Sequence, residues 1–342
     1  MAYPKKPDFS AMKALKAQIR TQNIARCYLF CGEEAYLRDF YLGEVKKALL
    51  PGGLEAFNLH TLDGKTCTPR ALETAIDCLP MMCERTLVLV TDYDLMKAPA
   101  DDKEAIIALL ADLPDYVCLI FLYDLMDYKP DARTKLSAAL KDHVVNFARQ
   151  EQSDLTDWIR RRFLALDHDI DTETARYFIF LCGDLMTTLA SEIGKVGAYA
   201  KERRITKADI DGVATPLLDA VVFQLTDQIG RRNYDGAAAV LGDLLQMQEA
   251  PIMILSVLGK QLRQLYSARL ALQAKKSPQY LVNLWKISPY PAEKLLASAQ
   301  HLSVQWCRNA VRRAAETDLA MKSTGADGAD LLISLLMELA NG

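Results

Sequence analysis

The first 150 residues alternate short apolar runs with amphipathic stretches, and the alternation then stops. Few folds accommodate such a pattern. Strands separated by helix-length segments pair in parallel and need helices on both faces of their sheet. Strands are expected at 27–31, 57–62, 86–91, 116–123 and 143–147, with helical spacing between them at 33–48, 69–79, 101–112 and 130–141. Leu87-Val88-Leu89-Val90 and Val117-Cys118-Leu119-Ile120-Phe121-Leu122 are continuous apolar runs, as central strands covered on both sides require.

After Gln150 only helical patterns remain. Ser153 is the expected N-cap of a helix carrying Leu155, Trp158 and Ile159. Helices are expected at 172–182 and 184–200, parted by Gly183-Asp184, and Thr206 with Asp209 reads as an N-terminal capping box. A small helical domain over 151–215 results. Pro216 opens a last helical domain over 216–342. There the spacing of Leu218, Val221, Val222, Leu225 and Ile229 is helical, as it is within 252–265 and 332–339. Pro251, Pro278, Pro289 and Pro291 punctuate these helices. The expected fold is an α/β domain at 1–150 followed by two all-α domains.

Charge and cysteine usage narrow the function. Lys and Arg total 41 against 44 Asp and Glu, so no broad basic surface for nucleic acid is implied. By segment the balance is −2, −3 and +2, which makes the last third the better nucleic-acid neighbour. Apolar runs fall short of the roughly 18 residues a membrane span needs. Residues 1–6 are polar and lack a signal-peptide core, so a cytoplasmic protein without membrane contact is expected. None of the eight cysteines forms a Cys-x-x-Cys pair, which argues for free thiols and against a zinc site. The four histidines are isolated, and Asp167-His168-Asp169 reads as a solvated loop between helices.

The first strand runs through Gly32-Glu33-Glu34-Ala35-Tyr36-Leu37-Arg38-Asp39 into a helix, where a phosphate-binding loop would sit. Its chemistry has decayed. Gly32 matches the first glycine, but Leu37 replaces the second, Arg38 stands at the lysine and Asp39 at the magnesium-binding hydroxyl. The strands at 86–91 and 116–123 end in Asp92-Tyr93 and Asp124-Leu125, without the second acid that would position water. Hydrolysis is not expected, and neither a cofactor nor a metal is called for.

The stretch Cys78-Leu79-Pro80-Met81-Met82-Cys83-Glu84-Arg85 joins a helix to the strand at 86–91. Pro80 should end the helix, and two methionines then occupy a connection that is ordinarily polar. Such an elbow either tucks under its own sheet or inserts into a partner's pocket.

Tyr28-Leu29-Phe30-Cys31-Gly32-Glu33-Glu34-Ala35-Tyr36-Leu37 resembles the opening of the bacterial DNA polymerase III delta-subunit family. So does Leu79-Pro80-Met81-Met82-x-Glu84-Arg85 running into the next strand. Further matches follow in order: Asp131-Ala132-Arg133-Thr134-Lys135-Leu136, Gly183-Asp184-Leu185, Ala250-Pro251-Ile252, Leu262-Arg263-Gln264-Leu265 and Asp318-Leu319-x-x-Lys322-Ser323. The resemblance implies a degenerate AAA+ domain, a helical lid and a helical collar. It also implies a protein that binds and opens the beta sliding clamp without hydrolysing ATP. Leu79, Pro80, Met81 and Met82 would be the clamp-binding residues, with Met81 and Met82 inserted where many relatives pair a Leu with an aromatic. Partners would be the gamma/tau and delta-prime subunits in a hetero-pentamer, and primed DNA through that complex. Membership of the DNA-directed DNA polymerase (nucleotidyltransferase) holoenzyme would be the only link to catalysis. Lys322, Ser323 and Gly325, expected in a loop between helices, are candidates for phosphate contact. Arg160-Arg161-Arg162 is expected at a solvent-facing or subunit-facing helix edge. The competing readings are an active AAA+ ATPase that remodels nucleic acid, a delta-prime-like scaffold subunit, and a helical scaffold without clamp contact.

Overall fold

The computed structural model describes residues 8–341; the polar segment at 1–6 lies outside them. The chain divides into two compact units. One runs to Gln150 and takes in Leu185–Thr187; the other comprises Glu151–Asp184 and the residues from Thr188 onward.

The first unit contains α1 (Ser10–Arg20), β1 (Cys27–Cys31), α2 (Ala35–Leu49), α3 (Glu55–Asn58) and β2 (Leu59–Asp63). It continues with α4 (Pro69–Ile76), β3 (Thr86–Thr91), α5 (Ala100–Ala111), β4 (Val117–Leu122), α6 (Lys135–Leu140) and β5 (Val144–Asn146). The strands form one parallel sheet in the order β2-β3-β4-β1-β5. Because side chains alternate along a strand, each strand feeds two cores. Cys27, Leu29, Val88, Val90, Leu119 and Phe121 face α4, α5 and α6 through Leu72, Ile76, Ile106, Leu136 and Leu140. Phe30, Leu87, Leu89, Ile120 and Val145 pack instead with Leu15 of α1 and Leu42, Val45 and Leu49 of α2. Burying one such aliphatic side chain stabilises the fold by about 1.5–3 kcal/mol. The two faces together explain why β1, β3 and β4 carry no exposed residue.

Several boundaries differ from expectation. Residues 55–58 form a helical turn, so β2 begins only at Leu59. The helix expected at 130–141 starts at Lys135, because the Thr134 hydroxyl caps it by accepting from Ser137 N. The helix expected at 69–79 ends at Ile76, four residues before Pro80.

The second unit is helical: α7 (Gln152–Leu164), α8 (Thr172–Cys182), α9 (Met186–Tyr199, from Thr188 onward), α10 (Lys207–Val213), α11 (Leu218–Gly230) and α12 (Tyr234–Gln246). Then come α13 (Pro251–Gln273), α14 (Pro278–Trp285), α15 (Pro289–Ala299), α16 (Val304–Ser323) and α17 (Gly328–Asn341). Pro251, Pro278 and Pro289 each open a helix, where the missing N–H costs nothing. The Thr206/Asp209 box is present, with both reciprocal bonds formed. Ser153, by contrast, lies inside α7, whose N-cap is Glu151. His168 is not a freely solvated loop residue: its ring nitrogens meet the carbonyls of Glu202 and Gly197 at 3.1 and 2.9 Å. Phe180 of α8 packs edge-on to Phe223 of α11, and Tyr290 of α15 lies against Tyr177 and Phe180. Among the described residues, no helix is long and apolar enough to cross a membrane.

Asp171 caps α8 by accepting from Thr174 N at 2.8 Å and also pairs with Arg204 at 2.9 Å. These contacts hold its carboxyl at about 2, below the ordinary 3.8. A depressed pKa stabilises the fold above the unfolded value, and that gain is lost as pH falls through the folded one. Asp171→Ala is expected to cost about 1 kcal/mol at neutral pH. In urea melts its difference from the parent should shrink between about pH 4 and pH 2.

Candidate functional site

The elbow at residues 77–85 carries the α4–β3 connection and has no regular secondary structure. A connection entering β3 lies at the amino end of the strands. The phosphate-type loop follows β1 and so lies at their carboxyl end, roughly 20 Å away along a six-residue strand. Leu79 is 71% exposed, Met81 54% and Met82 86%, while Pro80 is half-buried. The elbow therefore does not tuck under its own sheet; it presents apolar side chains to solvent.

Two anchors fix that presentation. Asn58, fully buried at the end of α3, accepts from Met81 N through Oδ1 at 2.6 Å. Its Nδ2 donates to Met81 O at 2.9 Å and to Leu54 O at 3.0 Å. One side chain thus satisfies both backbone groups of Met81, as a neighbouring strand would. At the far end Arg85 donates to Ile24 O at 2.6 Å, Ala25 O at 3.2 Å and Val117 O at 2.7 Å. Between the anchors Met82 sits at φ 61, a left-handed conformation that an unbranched side chain tolerates only when the surroundings hold it.

The phosphate-type loop is built differently. Gly32 has φ 115, and a Cβ there would lie 2.4 Å from Asn146 Oδ1 and 2.5 Å from Phe147 O. The glycine is needed for close passage beside β5. Glu34 N donates to Phe147 O at 2.9 Å, and Glu33 pairs with Arg149 at 2.6 Å. Arg38 is buried, donating to Tyr123 O at 3.0 Å and pairing with Asp124 and, at 3.4 Å, with Asp39. Leu37 packs against the α1–α2 core. Asp92, at φ 53, accepts from Asp124 N and Leu125 N at 2.8 and 3.0 Å. A cleft of about 1230 Å³ opens beside this loop, at the carboxyl ends of β1, β4 and β5. The cation and acids that nucleotide chemistry would need are occupied in holding loops together. Burial also pushes the Cys31 thiol up to about 11, so the cleft offers no thiolate nucleophile near neutrality.

The phosphate-contact candidates stand elsewhere than expected. Lys322 and Ser323 form the last turn of α16, not a loop; Lys322 pairs with Asp318 at 2.7 Å and the Ser323 hydroxyl donates to Leu319 O at 2.7 Å. Gly325 follows at φ 66. A helix C-terminus carries partial negative charge, which disfavours phosphate. Arg160, Arg161 and Arg162 are exposed on α7.

Known proteins resolve the family. Residues 28–149 match the model of the DNA polymerase III delta subunit, and residues 219–339 match that of its C-terminal domain. Together the two span more than two thirds of the chain. The chain belongs to the DNA polymerase III delta-subunit family. It is 24% identical to the Bacillus subtilis DNA polymerase III subunit delta, over 91% of each chain. It is 22% identical to a probable DNA polymerase III subunit delta of Aquifex aeolicus, over 71% of each. Among solved structures, the Bacillus subtilis DNA clamp loader delta protein shares the fold, with a TM-score of 0.56 at 21% identity over 96% of this chain and 99% of that one. The sequence did not assign the holding roles of Asn58 and Arg85, although Arg85 stands in the elbow's own motif. For Asn58 the signal was a polar residue inside a run read as a strand.

Proposed function

We propose that this delta-family subunit grips the sliding clamp of DNA replication with Leu79, Pro80, Met81 and Met82, and opens it without hydrolysing ATP. The observation that carries this reading is an exposed apolar elbow whose backbone is held by Asn58 and Arg85. A preorganised anchor loses little entropy on docking, and flexible methionines fill an apolar pocket well. Opening needs more than an anchor. A ligand with equal affinity for open and closed rings shifts nothing, so the α/β unit must fit better beside a parted interface. ATP-binding gamma/tau subunits would control access to the elbow. The segments 151–215 and 216–342 serve as lid and collar, the collar joining gamma/tau and delta-prime subunits in a pentamer that carries primed DNA. The decayed loop at Gly32, Leu37, Arg38 and Asp39 supports a scaffold role for the nucleotide-type fold in a cytoplasmic replication assembly.

The test is retention of the purified cognate clamp by the purified full chain, without ATP and without other subunits. Binding is expected in both the presence and absence of ATP, with no phosphate released. Failure to retain the clamp would overturn the reading. ATP turnover by the chain alone would favour the remodelling ATPase instead.

A further inference from the structure

A second surface of the α/β unit has the features of a docking site and owes nothing to the elbow. A groove of about 550 Å³ runs between α1 and α2. Its α1 side is Lys13, Lys16, Ala17, Ile19 and Arg20; its α2 side is Phe40, Tyr41 and Glu44. α1 carries three cations and no Asp or Glu. At 1.5 Å per residue the three charges are spread over roughly 10 Å along one side of the helix. The opposing acid, Glu44, is already paired with Lys47 at 2.9 Å. Asp8, ahead of α1, accepts from Ser10 N at 2.9 Å and lies within electrostatic reach of Lys13, which leaves Lys16 and Arg20 as the strongest attractors.

The floor carries two packed aromatic rings. Tyr41 stacks on the buried Phe147 at 5.9 Å, and Phe40 meets Tyr41 edge-on at 5.3 Å. Phe40 is nevertheless 51% exposed, a large ring held in place with one side unoccupied. An immobilised aromatic beside a row of cations suits a ligand with one apolar side chain and several carboxylates.

We propose that the α1–α2 groove docks a short acidic segment of a partner protein, with an aromatic or leucine side chain seated against Phe40. Charge complementarity selects this occupant over a nucleic-acid strand. Among the described residues the positive patch is three cations long, whereas the 1–150 segment has a balance of −2. A strand with a charge at every nucleotide would extend beyond these cations, and a peptide of a few residues would not.

The probe is a fluorescein-labelled peptide with four carboxylate side chains ahead of Leu-Phe, followed by anisotropy with the full chain. Reversing both Lys16→Glu and Arg20→Glu should weaken binding about tenfold or more, and Phe40→Ala several-fold, with the melting midpoint lowered by only about a few degrees because all three side chains are exposed. Raising salt should weaken the parent and leave the charge-reversed variant little changed. Equal affinity of parent and charge-reversed variant would overturn the proposal. So would a labelled single-stranded oligonucleotide that binds in a Lys16- and Arg20-dependent manner while the peptide does not, since the occupant would then be nucleic acid.

Discussion

Replacing Met81 and Met82 together by Ala should weaken clamp binding by about a hundredfold while leaving the melting of the chain unchanged. The size follows from their exposure. Both side chains are in solvent in the free chain, at 54% and 86%, so the whole gain from burying them arises on docking. Truncating a seated aliphatic anchor costs about 1–2 kcal/mol each, and about 2.7 kcal/mol is two decades in affinity. Truncating exposed atoms changes stability by only about 0.5 kcal/mol or less. Met82 should account for the larger share. It is the more exposed of the two, whereas Met81 is tied through both backbone groups to Asn58. Single variants in a surface-bound clamp assay would separate them. An unchanged affinity in the double variant would remove the elbow from clamp binding altogether.

How far such a site can be read from sequence depends on how local its cause is. β1 and β3 were legible to the residue because both their faces are buried, which forces an unbroken apolar run. β2 was not. It lies at the sheet edge, most of its residues are only partly covered, and its apolar signal is shared with Phe57 in the preceding helical turn. α1 went unread because its signal is thin: Asp8 accepts from Ser10 N just ahead of it, but Phe9 stands at its N-cap and Leu15 is the one residue it buries fully. The apolar elbow was legible because Leu79, Met81 and Met82 are consecutive or nearly so. Its exposure was not, since a methionine pair is equally compatible with a turn folded under the sheet.

Arg38 shows the same division. Sequence places a cation where a phosphate-binding lysine would be, and that much is local. Whether it faces a ligand or the fold is decided by Asp124 and the Tyr123 carbonyl, more than 80 residues away. A tertiary partner has turned the cation inward. The glycine ahead of it is required for a different reason, namely passage beside Asn146 and Phe147. The loop thus has the outline of a nucleotide site, with its arginine bound to the fold and its glycine set by passage beside β5.

The grip of Asn58 on Met81 joins residues 23 apart, and it yields the second large prediction. Asn58→Leu keeps the branched shape of the buried side chain, though it is bulkier, and removes three hydrogen bonds, leaving Met81 N, Met81 O and Leu54 O without this partner. The loss is expected to cost about 2–4 kcal/mol, which lowers the melting midpoint of the α/β unit by roughly 5–10 °C. Asn58→Asp should be worse, although it is closer in shape. Its carboxylate can still accept from Met81 N, but it turns an oxygen toward two carbonyls in a site with no solvent. Clamp affinity should fall about tenfold in Asn58→Leu even below its melting temperature, because a released elbow must be ordered again on docking. The pair of measurements separates positioning from contact. Methionine truncation changes affinity without stability, whereas Asn58 replacement changes both. If Asn58→Leu melts early but holds the clamp as tightly as the parent, the elbow needs no preorganisation, and Asn58 serves the fold of the α/β unit alone.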